Sequence, residues 1–150
     1  MAEHLSWAAK HGCGKAVELL LEQEDVSPNR PGKNSRTPLW RAAWNKSVGV
    51  VEPLLERDVD PSAPDNDGQT LLSWATRNGR VGVVELLLAR KEVDHDTPDD
   101  DGHGRTVLSW AARNEHDGVV KLLLKQEDVS PDTNLCACGF QKYGEPLDRM

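Results

Sequence analysis

The sequence contains few cysteines, no long apolar run and no leader-like start, and each shortage excludes a class of protein. Its 150 residues include three cysteines, an odd number, and two of them, Cys136 and Cys138, lie two positions apart. This pattern is not a disulfide framework. No apolar run approaches the roughly 20 residues that span a bilayer, and the first residues do not resemble a signal peptide. We therefore expect a cytoplasmic protein, with a nuclear location as the alternative, and no membrane partner.

The chain has no excess of basic residues, since 18 Lys and Arg stand against 25 Asp and Glu, giving a net charge of -7. An acidic chain repels phosphate backbones on average, which argues against nucleic acid as a partner unless a local basic face overrides that average. Aromatic residues are also scarce, but five of the seven are Trp. This imbalance requires a positional explanation.

Recognisable catalytic and metal-binding motifs are missing. There is no phosphate-binding loop, nucleophile elbow or H-E-x-x-H motif, and Cys13 near His11 has no third group to orient a base. The Cys136/Cys138 pair has no second pair with which to complete a zinc site. The Asp- and His-rich stretch over 95–103 fits a solvated acidic turn better than a cation site. We predict no enzymatic activity, no cofactor and no metal.

Three short phrases recur four times in a fixed order, which indicates an internal repeat. The first phrase, Leu-Ser-Trp-Ala-Ala or a variant, begins at Leu5, Leu39, Leu72 and Leu108, at spacings of 34, 33 and 36 residues. The second phrase, rich in leucine, begins at Glu18, Glu52, Glu85 and Lys121. The third phrase begins at Val26, Val59, Val93 and Val129. Each unit therefore holds the same elements in the same order.

The first two phrases predict a pair of short helices. Leu72, Ala75 and Thr76 share the i, i+3, i+4 spacing of one helix face. Positions before and after this first helix carry typical start and stop residues: Thr37, Thr70 and Thr106 as N-caps, Pro38 as a first helical residue, and Gly12 and Gly79 as stops. A hairpin this thin cannot bury its own apolar face, so three or more units must stack. The small alanines after each Trp allow neighbouring hairpins to approach closely.

The segment from Asp65 to Thr76 resembles the ankyrin repeat pattern D-x-x-G-x-T-P-L-H-x-A-A, and the segment from Asp101 to Leu108 follows the same register. The Ser-Trp-Ala-Ala variant is similar to that of fungal ankyrin arrays. The resemblance implies an all-α solenoid of about four helix-turn-helix units, joined by β-turn loops called fingers. It places the units at 1–31 (incomplete, without a finger), 32–64, 65–100 and 101–134, and leaves 135–150 as an irregular tail or an aborted fifth unit.

Several positions depart from the family pattern. Ser35, Lys46 and Glu115 replace glycines, and a non-glycine residue in such a position costs about 1 kcal/mol. Pro53 lies inside the second helix of unit two, where we expect it to bend or shorten the helix. Trp40 stands where the family has His. These features make unit two the least regular member of the predicted stack.

The resemblance also implies where a partner binds, because ankyrin arrays use the finger tips and the outward ends of their first helices. The corresponding residues are Lys10, His11, Lys33, Asn34, Arg36, Trp44, Asn45, Asn66, Asp67, Gln69, Arg77, Asn78, Gly102, His103, Arg105, Arg113 and Asn114. Six Lys and Arg stand against one Asp in this set, so we expect a basic concave face that binds an acidic protein or peptide. Alternatively, Arg77 and Arg113 pair with finger aspartates such as Asp65 and Asp101.

The tryptophans fall into two groups. Trp7, Trp74 and Trp110 share one repeat position, with Arg41 in the second unit, and we expect a packed column in which Arg41 makes cation–π contacts. Trp40 and Trp44 lie outside the column, four residues apart on one helix face. They are predicted hot spots for a partner, although Trp40 could instead fill the space left by the missing His.

We conclude from the sequence that the chain is a protein–protein interaction module, present as a monomer or as part of a longer array. Two alternatives stay open at this point. The chain could be a piece of a larger ankyrin-array protein with no partner of its own, or its basic face could bind nucleic acid or phosphate.

Overall fold

A computed structural model describes residues 2–93 and 105–126 of the chain, and within these ranges eight α-helices form four hairpins. The first helices of the hairpins are α1 (Ala2–Lys10), α3 (Pro38–Trp44), α5 (Leu71–Arg77) and α7 (Val107–Arg113). The second helices are α2 (Gly14–Leu21), α4 (Val48–Leu55), α6 (Val81–Leu88) and α8 (Asp117–Leu124). A 3-10 turn, Lys33–Ser35, precedes α3.

Threonine begins three of the first helices, as predicted. The Oγ1 atoms of Thr37, Thr70 and Thr106 accept hydrogen bonds from backbone N–H groups three residues later, at 3.4, 3.2 and 3.3 Å. Each bond satisfies one of the amides that the first turn of a helix leaves without a partner. Pro38 occupies the first position of α3, where a missing N–H removes no helical bond.

The turn between the two helices of every hairpin requires a left-handed residue at one repeat position. Gly12 and Gly79 occupy it with φ of 69° and 65°, whereas Lys46 and Glu115 occupy it with φ of 61° and 57°. The non-glycine residues thus adopt a conformation in which Cβ crowds the backbone. The loss of stability predicted for Lys46 and Glu115 therefore arises because both adopt a left-handed backbone conformation that glycine adopts without strain.

The hairpins stack side by side in two layers. Within the inner layer α1 packs on α3 and α5 on α7, and in the outer layer α2, α4, α6 and α8 pack in sequence. The leucines that open the repeat phrase, Leu5, Leu39, Leu72 and Leu108, are at most 2% exposed. Because each leucine is covered by its own and the neighbouring hairpin, the stack holds together by burial of apolar surface between units. The predicted all-α solenoid is confirmed.

Pro53 does not shorten α4. The helix has eight residues, as many as α2 and α6. Proline in position 53 removes one hydrogen bond, to the carbonyl of Gly49, which lies on an exposed stretch of the first turn. A carbonyl in contact with water keeps a hydrogen-bonding partner, so the helix continues through Pro53. Of the two effects expected of Pro53, bending or shortening, the shortening does not occur.

The junction between units two and three differs from the other two. Helices α3 and α5 approach each other closely along less of their length than α1 and α3 or α5 and α7 do. Trp40 occupies this junction, buried to 1% exposure, with its ring centroid 5.8 Å from that of Trp74. Units one, three and four carry Ser6, Ser73 and Ser109 at the same repeat position. A large ring in place of a serine holds the two helices apart.

Some predictions fall outside the described residues: those on Gly102 and His103, on Cys136 and Cys138, on the acidic stretch over 95–103, and on the tail 135–150. Within the described ranges, no helix has the length and apolarity needed to cross a membrane.

Candidate functional site

The finger before α5 is a tight turn organised by the buried carboxylate of Asp65. Its Oδ1 accepts hydrogen bonds from the backbone N–H groups of Asp67 (3.0 Å) and Gln69 (3.1 Å). The Gly68 N–H donates to the carbonyl of Asp65, and Gly68 supplies the left-handed residue with φ of 72°. This geometry leaves the side chains of Asn66 and Asp67 exposed at the tip.

The finger before α3 has serine in place of glycine at the left-handed position. Ser35, at the position of Gly68, has φ of 57°, and Asn34 before it has φ of 64°. The two fingers are joined by a hydrogen bond of 3.2 Å from the Asn66 N–H to the Asn34 carbonyl. Adjacent fingers therefore line up along one side of the stack, with Lys33 and Asn34 exposed there.

Arg36 connects the two fingers to the tryptophans. Its Nη2 lies 3.4 Å from Oδ2 of Asp65, and its guanidinium carbon lies 4.8 Å from the Trp44 ring centroid and 5.3 Å from that of Trp40. Asp65 therefore pairs with Arg36 and not with Arg77, its alternative partner from the sequence. Arg36 is thus held inside the chain and contributes less to the free surface than its charge suggests.

The last residue of a first helix contacts the Trp column of the next unit. Trp44 stacks on Trp74 with ring centroids 5.1 Å apart and an interplanar angle of 21°. One junction further, the guanidinium of Arg77 lies 4.7 Å from the Trp110 centroid, and that of Arg105 lies at the same distance. We call this arrangement the cross-unit contact.

The Trp column is packed in units three and four and open in unit one. Trp74 and Trp110 are 6% and 5% exposed, whereas Trp7 is 60% exposed and contacts the His11 ring at 4.2 Å. The predicted cation–π contacts of Arg41 are not formed with any described ring; its Nη2 lies against Gly32 instead, 2.9 Å from where a Cβ would stand. The prediction for Arg41 was wrong because the loop before α3 draws the side chain away from the column.

Trp40 is part of the core and not of the surface. Because its side chain is only 1% exposed, Trp40 is not available to contact a partner. Its position fits the alternative prediction, in which Trp40 fills the space left by the missing His. Trp44, in contrast, is 50% exposed while one face stacks on Trp74. Of the two predicted hot spots, the structure leaves only Trp44 accessible.

The remaining residues predicted to bind a partner differ in whether their side chains are already hydrogen-bonded within the chain. Asn78 and Asn114 each donate from Nδ2 to the carbonyl of the Trp four residues earlier, at 2.8 Å, and so close the ends of α5 and α7. Gln69 and Arg105 are half-buried. The members that are exposed and make no side-chain hydrogen bond or ion pair with a described residue are Lys10, His11, Lys33, Asn34, Asn45, Asn66, Asp67, Arg77 and Arg113.

A groove runs between α1, α3 and the loop before α3, and we call it the junction groove. It consists of two adjoining cavities of about 570 and 200 Å³ that share Lys10, Lys33 and Arg41 as lining residues. Arg30 and Arg36 add two more guanidinium groups, and Trp7 and Trp44 supply aromatic surface. Among the described residues that line it, Glu3 alone carries a carboxylate. Arg30 and Arg41 were not among the partner-binding residues predicted from the sequence. For Arg41 the available signal was its place in the repeat, where the other three units have Trp.

The opposite side of the stack has the reverse charge. A cavity of about 450 Å³ on the outer helices is lined by Glu18, Glu22, Glu52, Glu56 and a single cation, Arg57. Among the described residues, the groove beside the fingers is therefore lined mainly by cations, and the cavity on the outer helices is lined mainly by carboxylates. Such a polarity orients an approaching charged partner.

Stacked helical hairpins, aligned fingers and a groove beside the first helices define a repeat protein of the solenoid class. A family model described as ankyrin repeats in three copies matches residues 2–65 and residues 57–134. The chain therefore belongs to the ankyrin repeat family, whose members act generally as protein–protein interaction modules. No curated protein matches this sequence.

Proposed function

We propose that the chain binds an acidic protein or peptide on the face formed by its fingers and the ends of its first helices, the basic face. The observation that carries the proposal is the charge polarity: five cations and one carboxylate line the junction groove, and four glutamates and one arginine line the cavity on the back. Complementary charge speeds encounter and disfavours partners of the same sign.

The accessible side chains of the basic face suit a protein partner. Trp44 is half exposed on a rigid stack, because its other face packs on Trp74. A Trp fixed in this way loses little entropy on binding, and Trp and Arg are over-represented among residues that dominate interface energies. Lys10 and Lys33 line a cavity together with Trp44, and Arg113 ends the first helix of unit four. None of these three cations forms an ion pair with a described carboxylate.

Selection from a phage-displayed peptide library tests the proposal without knowledge of the partner. We expect the wild-type chain to enrich peptides rich in Asp and Glu, and the triple reversal Lys33→Glu, Arg77→Glu, Arg113→Glu to weaken their binding at least about tenfold. The matched control is Lys15→Glu, Arg57→Glu, Lys121→Glu, three exposed cations of the outer helices and their loops. Both triples change the net charge equally, so the control separates the face from the overall charge.

Two results would reject the proposal. One is a selection that yields peptides without acidic enrichment, and the other is binding that falls equally in both triple variants. A parallel titration with single- and double-stranded DNA addresses the alternative of nucleic-acid binding, which would show affinity falling steeply with salt concentration.

A further inference from the structure

The cross-unit contact is complete at two junctions and absent at the first. Trp44 stacks on Trp74 between units two and three, and Arg77 lies over Trp110 between units three and four. The repeat places Lys10 and Arg41 at the equivalent positions of the first junction. Two cations replace an aromatic pair or a cation–π pair, and like charges repel each other.

Glu3 is the one described carboxylate that lines the groove, and it forms no ion pair with Lys10 or Arg41. Lys10 and Arg41 both line the two cavities of the junction groove, and neither forms an ion pair with a described residue. Arg41 is partly exposed. The groove is thus a place where the repeat brings positive charges together and leaves space beside them.

Donor groups without acceptors collect at the same place. Ser6 Oγ, Arg36 Nε, Trp40 Nε1 and Arg41 Nε are buried and have no hydrogen-bonding partner among the described residues, and all four residues line the junction groove. A buried donor without an acceptor is destabilising, because it loses its bonds to water without replacement. The buried Nε atoms show that the chain does not fill the hydrogen-bonding capacity of the Arg36 and Arg41 guanidinium groups, and both residues line the groove.

We propose that the junction groove is a carboxylate-binding site, in which Lys10 and Arg41 hold adjacent Asp or Glu side chains of an acidic peptide segment in the partner. The inference rests on the proposed function, and it adds where the acidic peptide binds and which side chains recognise its carboxylates. Guanidinium and ammonium groups bind carboxylates through charge-assisted hydrogen bonds. Lys33, on the finger beside the groove, extends the positive surface for a second carboxylate of the same segment.

The test uses the full chain and a hexaglutamate peptide as the probe, with hexaglutamine as the neutral counterpart and inorganic phosphate as a free oxyanion. We expect hexaglutamate to bind in calorimetry and to shift the indole N–H resonances of Trp7 and Trp44, which line the groove, but not that of Trp110. Hexaglutamine should not bind. Phosphate binding as strong as that of hexaglutamate would overturn the peptide assignment in favour of a free-anion site.

Arg41→Trp is the decisive variant, because it gives the first junction the cation–Trp pairing of the third. We expect it to melt no earlier than wild type and to bind hexaglutamate at least about tenfold more weakly. Lys10→Gln should weaken binding by about fivefold without lowering the melting temperature. Its matched control, Lys15→Gln, changes an exposed lysine of α2 outside the groove and should bind like wild type.

The outcome separates this inference from the proposed function. If Arg41→Trp and Lys10→Gln bind hexaglutamate as wild type does, the groove assignment is refuted. Acidic peptides selected from the library that still depend on the basic face would then leave the proposed function standing. If no acidic peptide is selected at all, both proposals fall together.

Discussion

Replacing Trp40 tests how much its buried ring stabilises the junction between units two and three. Trp40 is 1% exposed and lies between α3 and α5, in contact with Trp74. Burying about 200 Å² of aromatic surface stabilises a protein by about 5 kcal/mol. The indole Nε1–H has no acceptor among the described residues, which offsets about 1–3 kcal/mol of that gain. We therefore expect Trp40→Ala to lower the free energy of unfolding by about 3 kcal/mol.

Urea denaturation followed by far-UV circular dichroism measures this loss. Two further tryptophan substitutions serve as controls. Trp44→Ala removes a ring that is 50% exposed and should cost about 1 kcal/mol, mostly from its stacking on Trp74. Trp40→Phe keeps most of the buried area and removes the unpaired N–H, so it should stay within about 1 kcal/mol of wild type. If Trp40→Ala costs no more than Trp44→Ala, the buried position of Trp40 is refuted.

Two further predictions concern the backbone. Lys46→Gly should stabilise the chain by about 0.5–1 kcal/mol in the same urea assay, because Lys46 holds φ of 61°; the reverse change Gly79→Ala should destabilise it, since φ is 65° and an added Cβ would lie 2.8 Å from the His116 ring. A loss of stability in Lys46→Gly would contradict the strain argument. Pro53→Ala should raise the melting temperature by restoring one helical bond in α4; an unchanged or lower melting temperature would show that the bond adds nothing.

The local features of this protein could be predicted from the sequence because they depend on residues a few positions apart. A threonine before an apolar phrase accepts from an amide three residues later, whatever lies beside the helix. Lys46 and Glu115 occupy the same repeat position as Gly12 and Gly79, so a left-handed backbone conformation at both residues could also be predicted from the sequence. Four repetitions of one phrase then predict the stack itself, since no single hairpin can cover its own leucines.

The partners of the charged residues could not be predicted in this way. Asp65 has several cations at similar separations in sequence, and the pairing with Arg36 depends on how two fingers align across a junction. Trp40 and Trp44 lie on one helix and differ only in which neighbour covers them, yet one is buried and the other is half exposed. Pro53 shows the same limit, because whether a lost hydrogen bond ends a helix depends on the exposure of one carbonyl.

The sequence by itself determined the repeat, its caps and turns, and the two-helix unit, because each of these follows from short-range geometry and from the need to bury apolar faces. The tertiary structure alone decided which tryptophan is buried, which arginine is held in an ion pair, and that Lys10 and Arg41 line one groove. Those facts depend on distances between residues of different units, and such distances exist only once the units have packed against one another.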